Sequence, residues 1–165
     1  MSIPVYTDFI IKYSHEKTYE RDPFSVSSAL SDATYYDIFQ KSRLIDVSEM
    51  LSSLYEDQLI SYIRTDSSLM SIEQFDERFS IFDSIADSFF DDPLIMRLLM
   101  KIDINLMKEG YWIDGSKLQH HAITPLASHV NLNTHFNISR RPYEEIRKSM
   151  YLDICKAYIN LFIPD

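Results

Sequence analysis

Glycine is nearly absent from this chain, which has two glycines, Gly110 and Gly115, among its 165 residues. Dinucleotide-binding folds, phosphate-binding loops and tight β-hairpins use glycine where the backbone needs a positive φ or must approach a ligand closely. Two glycines close together cannot supply these motifs. The shortage therefore excludes a glycine-rich nucleotide site and favours helices that are joined by short polar loops.

Cysteine and long apolar runs are also scarce. Cys155 is the single cysteine, so no intramolecular disulfide can form; a reducing compartment is the simplest expectation, with a disulfide-free secreted protein as the alternative. Residues 1–8 lack the basic segment of a signal peptide. A charged residue interrupts every apolar run before it reaches the roughly 18 residues of a membrane span. We therefore predict a cytoplasmic protein with no membrane partner.

The residues that are abundant indicate a packed core. Apolar residues make up 45% of the chain, and 11 Tyr, 10 Phe and one Trp are among them. Disordered chains lack this much apolar and aromatic surface, and the length fits one domain, residues 1–165. We predict a single, mainly all-α domain, a helical bundle of about five to seven helices.

Capping signals mark several helix boundaries. Ser71 with Gln74 has the spacing of a capping box, Asp92 before Pro93 is a typical helix start, and Gly110 is a typical residue just past a helix end. Together with apolar periodicity, such signals predict helices over about 26–41, 46–64, 71–90, 93–109, 116–123 and 141–163. Residues 1–13 are compatible with a short strand or a short helix, and about 111–139 is an irregular segment.

The negative charge is concentrated in the middle of the chain. Between Asp32 and Asp92 there are 14 acidic and four basic residues, so this part has a formal charge of −10. The rest of the chain has a formal charge of +1, which gives the total of −9. Helical geometry at about 100° per residue separates two groups of residues within 71–90. The apolar group is Ile72, Phe75, Phe79, Phe82, Ile85, Ala86, Phe89 and Phe90. The opposite group consists of carboxylates, and Asp91 follows directly after this range. We call these residues the acidic stripe: Glu73, Asp76, Glu77, Asp83, Asp87 and Asp91.

Two interpretations of the acidic stripe follow from its charge. It can steer and dock a basic partner, or it can be a solvated helix face that keeps a small protein soluble. Direct nucleic-acid binding is disfavoured in both cases, because neutralising phosphates needs a basic surface. Tyr111 and Trp112, which follow the predicted helix end at Gly110, are candidate aromatic anchors for the same partner.

Histidines are the best candidates for chemistry. Four of the five lie between residues 120 and 135, and His120, His129 and His135 are candidate metal ligands or general bases. None of the established metal-binding spacings is present, and the single thiol, Cys155, has no partner base beside it. The sequence therefore favours a protein that is not an enzyme and needs no cofactor.

Three functional hypotheses remain. The first is a protein-binding module, most concretely an inhibitor or an immunity or antitoxin-type protein that docks a basic toxin or a basic nucleic-acid-binding enzyme through the acidic stripe. The second is an assembly or structural subunit that forms homo-oligomers, with the apolar stretch 157–163 as its contact. The third is a hydrolase or metal-dependent enzyme that uses the histidine-rich segment 114–135.

Overall fold

The structure is a computed structural model that describes residues 47–65, 67–129, 136 and 143–165. The predicted helix over 26–41 and the strand or helix over 1–13 lie outside these residues, as does most of the segment 130–142. The described residues contain four α-helices, two short 3-10 helices and one sheet. The α-helices are α1 (Val47–Glu56), α2 (Arg78–Ser88), α3 (Pro93–Leu99) and α4 (Tyr143–Asn160). The 3-10 helices are Ile72–Glu77 and Gly115–Lys117, and the strands are β1 (Met70–Ser71) and β2 (Trp112–Ile113).

The prediction of a bundle of five to seven helices is wrong for the part of the chain that the structure describes. β1 and β2 form a parallel two-stranded sheet in which Met70 pairs with Trp112 and Ser71 pairs with Ile113. A second extended contact is an antiparallel bridge between Ile60 and Pro125. Both contacts join segments that are far apart in the chain, and hydrophobic periodicity reports on local structure alone. The fold is therefore a mixed one, in which helices pack around short extended pairings.

The first described helix is shorter than the prediction, which extended it to Arg64. α1 ends at Glu56 because Gln58 adopts a left-handed backbone with a φ of 60°. The Gln58 amide donates to the Tyr55 carbonyl at 2.9 Å, and the Leu59 amide donates to the Leu54 carbonyl at 3.0 Å. This pair of bonds is a Schellman motif, which closes a helix end. Glycine usually occupies the left-handed position, so a glutamine there gives little signal in the sequence.

The start of α3 is confirmed, whereas its predicted end is wrong. Asp92 Oδ1 accepts hydrogen bonds from the amides of Leu94 and Ile95, both at 3.0 Å, as expected of an N-cap. The helix then ends at Leu99, and residues 101–108 are not helical. Along these residues, exposed and half-buried side chains alternate one by one, which is not the period of a helix, and the Leu106 amide donates to the Asp103 carbonyl at 3.0 Å in a turn. Gly110 does have a positive φ of 89°, in a turn that is distant from the helix end.

α4 lies at the centre of the fold and contacts both α1 and α3. Its buried apolar residues include Met150, Tyr151 and Ile154, and the polar side chain of Asp153 is buried with them. Cys155 is fully buried, and this burial raises the pKa of its thiol well above the ordinary value, so the thiolate is strongly disfavoured. No helix among the described residues is both long and apolar enough to pass through a bilayer.

Candidate functional site

The candidate site is the exposed side of α2 and of the residues that flank it. The opposite side of α2 is anchored in the core, where Phe82, Ile85 and Phe89 are buried. The Phe82 ring lies 5.0 Å from the Phe162 ring, centroid to centroid, in an edge-to-face arrangement. Because these contacts fix the rotation of α2 about its axis, they also determine which of its side chains face solvent.

The exposed side of α2 combines carboxylates with aromatic rings. All six residues of the acidic stripe are exposed. Phe79 and Phe90 are exposed by 53% and 74%, although the sequence placed both on the buried apolar side. At about 100° per residue, the positions of Phe79, Asp83 and Asp87 fall within an arc of about 80°, whereas Phe90 lies two residues beyond Ser88, the last residue of α2. The Phe79 ring therefore lies beside carboxylates on the exposed side of the helix. We call this side, together with the exposed Phe90 that follows it, the α2 surface.

The difference between prediction and structure is a rotation of the helix. α2 buries Ile81, Ser84 and Ser88 as well as the expected apolar residues Phe82 and Ile85, so its buried face is turned away from Phe79. The helix also ends at Ser88, before Phe90. The hydroxyl of Ser84 explains part of this rotation. Its oxygen accepts hydrogen bonds from the amides of Ser128 and His129, at 3.1 and 2.9 Å, and these bonds need Ser84 to face the neighbouring loop.

Glu73 connects the acidic stripe to the loop after β2. Its carboxylate accepts a short hydrogen bond of 2.5 Å from the Ser71 hydroxyl and another, at 3.1 Å, from the Gly115 amide. These bonds hold the pKa of Glu73 below its ordinary value, with the Ser71 hydroxyl as the largest cause. A Cβ atom on Gly115 would come within 2.7 Å of Glu73 Oε2, so glycine permits this close approach.

Asp87 also has a partner within the chain. Its Oδ2 lies 2.9 Å from His129 Nδ1, and both side chains are at least half exposed. His129 has a positive φ of 47°, so the loop bends sharply where this contact is made. The contact orients the Asp87 carboxylate but leaves it accessible to solvent. Of the acidic stripe, Glu73 and Asp87 are therefore held in place by the fold.

Arg78 contacts the α2 surface from its buried side. Its guanidinium is buried, and it donates to the Ile104 carbonyl at 2.6 Å and to the Phe75 carbonyl at 2.9 Å. The same group stacks over two rings, 3.9 Å from the centroid of Phe75 and 4.1 Å from that of Phe79. Phe79 thus has its inner face on a cation and its outer face in solvent. Arg78 is not recognisable as a functional residue from the sequence, because an isolated arginine between two phenylalanines gives little signal.

The structure places the predicted aromatic anchors in the interior instead. Tyr111 and Trp112 are half-buried and pack against the hydrophobic core. The Trp112 ring meets the rings of Phe75 and Phe162 edge to face, at centroid distances of 5.3 and 5.9 Å. Their role as anchors stays a prediction, but the exposed rings beside the carboxylates are Phe79 and Phe90.

The candidate metal ligands have other neighbours. The His120 ring lies 5.0 Å from the Tyr62 ring, and His129 pairs with Asp87. His135 lies outside the described residues. Within 47–65, 67–129, 136 and 143–165, no three His, Cys, Asp or Glu residues are grouped closely enough to hold a metal ion.

Comparison with known proteins gives limited similarity. No protein-family model matches the chain. Over 158 residues, which cover 94% of the chain, the sequence is 26% identical to a protein described as DNA topoisomerase 3 from Pasteurella multocida (strain Pm70). The chain spans about a fifth of the length of that curated relative, since the match covers 22% of it. The chain is therefore similar to one part of a much longer protein.

Proposed function

We propose that this chain is a protein-binding domain that docks a basic partner protein through the α2 surface. The most concrete form is an inhibitor or an immunity-type protein for a basic toxin or a basic nucleic-acid-binding enzyme. The observation that carries the proposal is the exposure of Phe79 on the same side of α2 as Asp83 and Asp87, with Phe90 exposed just beyond the end of the helix. A helix face that served solubility alone would need the carboxylates but not the rings.

Protein interfaces are typically built from an apolar centre with a polar rim, and aromatic residues are enriched in the centre. On the α2 surface, the phenyl rings supply the apolar area and the carboxylates supply the rim. Ile72, before α2, and Leu94, in α3, are also exposed apolar residues, by 45% and 39%. Several exposed apolar side chains in one region of a small protein are typical of an interaction surface.

The two kinds of residue would act at different stages of binding. The carboxylates attract lysine and arginine side chains of the partner over a distance, which mainly raises the association rate and makes it sensitive to salt. The phenyl rings act at contact, where their burial slows dissociation. Because Arg78 holds the Phe79 ring in place before binding, little side-chain entropy remains to be lost there.

The other hypotheses have less support among the described residues. The apolar stretch 157–163 is buried except for Ile163, which is half-buried, so it offers no surface for self-association. A role in direct DNA contact, which the similarity to a DNA topoisomerase 3 raises, conflicts with a formal charge of −9. A cytoplasmic location is part of the proposal and accords with a single cysteine that is buried and free.

The proposal can be tested by affinity capture with the full chain at low salt, elution with salt, and titration of the purified binder. Asp83→Lys/Asp91→Lys should lower the affinity for the purified binder by about tenfold, a loss of roughly 1.4 kcal/mol of binding free energy. The matched control is Glu56→Lys/Glu109→Lys, which changes the charge equally at exposed positions outside the acidic stripe and should change the affinity by less than about threefold.

A third variant, Phe90→Ser, separates the contribution of the rings from that of the charges. It should raise the dissociation rate while the salt dependence of the association rate stays as in the unmodified protein. If no basic protein is captured, or if the Asp83/Asp91 variant binds as well as its control, the α2 surface does not dock a basic partner.

A further inference from the structure

A second feature lies apart from the α2 surface: a cleft of about 710 Å³ between α1, the segment after Ile60, and the residues that follow the 3-10 helix Gly115–Lys117. Its volume falls in the range of small-molecule sites, about 300–1,000 Å³. Three of its lining residues are Arg64, Lys117 and His120. We call it the basic cleft.

The charge of the basic cleft is opposite to that of the whole chain. The formal charge of the protein is −9, yet no described residue that lines the cleft carries a carboxylate. Arg64 and Lys117 are both exposed, and neither forms an ion pair with any residue that the structure describes. Among the described lining residues, Arg64 and Lys117 therefore bring positive charge to the cavity without a carboxylate, and an anion in the cavity would be attracted to both.

Two hydroxyl groups of the cleft are prepared to donate hydrogen bonds. Thr65 Oγ1 accepts from the Ser67 amide at 3.0 Å, and Ser67 Oγ accepts from the Leu69 amide at 3.0 Å. A hydroxyl that already accepts a backbone bond still has its O–H free to donate. Both side chains line the cleft beside Arg64. The local backbone therefore orients the two oxygens, and their protons remain available to an acceptor.

The number and kind of donors indicate which acceptor fits. A guanidinium, an ammonium and two hydroxyls around one cavity suit an anion with several oxygens, for which phosphate is the best match. Apolar side chains of Leu51, Ile63 and Leu118 complete the lining. The His120 ring also lines the cleft and is in contact with the Tyr62 ring, so it offers an aromatic face against which a planar group can pack.

We propose that the basic cleft binds a phosphate-bearing small molecule with a planar ring, of the size of a nucleoside monophosphate, with Arg64 and Lys117 holding the phosphate. This site is independent of the α2 surface, so the proposal does not depend on the partner-binding function. It also needs no glycine-rich loop, because side chains rather than backbone amides supply the donors.

The test is calorimetric titration of the full chain at low salt with adenosine monophosphate, adenosine and inorganic phosphate in separate experiments. We expect saturable binding of the monophosphate, weaker binding of phosphate, and at least about tenfold weaker binding of adenosine. Arg64→Gln/Lys117→Gln should lower the affinity for the monophosphate by about tenfold or more. Arg97→Gln/Lys101→Gln, which removes two exposed cations outside the cleft, is the matched control and should leave the affinity for the monophosphate unchanged.

Two further readouts keep the result interpretable. Thermal unfolding of each variant shows that a loss of binding is not a loss of folding, and amide chemical shifts of residues 63–69 and 117–120 should move on titration with the monophosphate. If the monophosphate does not bind saturably, if the double variant binds it as well as the control does, or if adenosine binds equally well, the proposal is wrong.

Discussion

Replacement of Arg78 tests how much stability a single buried cation contributes by joining α2 to the non-helical residues after α3, at the Ile104 carbonyl. Arg78→Met keeps most of the apolar stem but removes both hydrogen bonds, to the carbonyls of Ile104 and Phe75. Hydrogen bonds from a charged donor contribute about 1.5–3 kcal/mol each, and an unpaired buried carbonyl costs about 1–3 kcal/mol. Relief of the cation's desolvation offsets part of this loss. We expect the free energy of unfolding to fall by about 3 kcal/mol.

Urea unfolding of matched variants measures this change. Arg78→Lys retains the charge but not the planar group that bonds to two carbonyls while it stacks over two rings, so we expect a smaller loss of about 1–2 kcal/mol. Arg97→Met is the control, since Arg97 is exposed and makes one long bond of 3.3 Å to the Pro93 carbonyl; its effect should stay within about 0.5 kcal/mol. A loss below about 1 kcal/mol for Arg78→Met, or one equal to that of the control, would refute this reasoning.

Two further changes address the left-handed residue and the perturbed carboxylate. Gln58→Gly should raise the free energy of unfolding by about 0.5–1 kcal/mol, because a left-handed φ strains any residue with a Cβ; a lower urea midpoint would contradict this. Ser71→Ala should raise the pKa of Glu73 toward its ordinary value, as measured by NMR titration of the carboxyl carbon. A lowered folded-state pKa adds stability above the unfolded-state pKa, and this is lost as the pH falls through the folded-state pKa. Ser71→Ala should therefore weaken the acid dependence of stability, and an unchanged pKa would contradict the assignment.

Local signals in the sequence were reliable where one residue type performs one local task. Asp92 before Pro93 predicted the start of α3, and the Asp92 carboxylate does cap that helix. Gln74 predicted a capping box, and its side-chain oxygen accepts from the Ser71 amide at 3.2 Å. In each case the donor and acceptor lie within three residues of each other, so the chemistry is visible without the fold.

Predictions failed where a distant segment decides the structure. The rotation of α2 depends on Ser84 and its bonds to a loop more than 40 residues later, so the exposure of Phe79 could not be read from helical periodicity. The exposed Phe90 lies beyond the helix, which ends at Ser88. The alternation of Ile102, Ile104 and Leu106 with polar residues was a usable signal that the chain after α3 is not helical. It was outweighed by the positions of Lys108 and Gly110, which resemble a helix end.

The central position of α4 has a consequence for the order in which the protein can fold during synthesis. α1 and α3 pack on a helix that begins at Tyr143, long after their own residues have left the ribosome. At about 5–20 residues per second, their apolar faces wait several seconds for their partner. The nascent chain thus passes through a period in which chaperones compete with aggregation, and substitutions in α4 should affect the yield of soluble protein more than the properties of molecules that have folded.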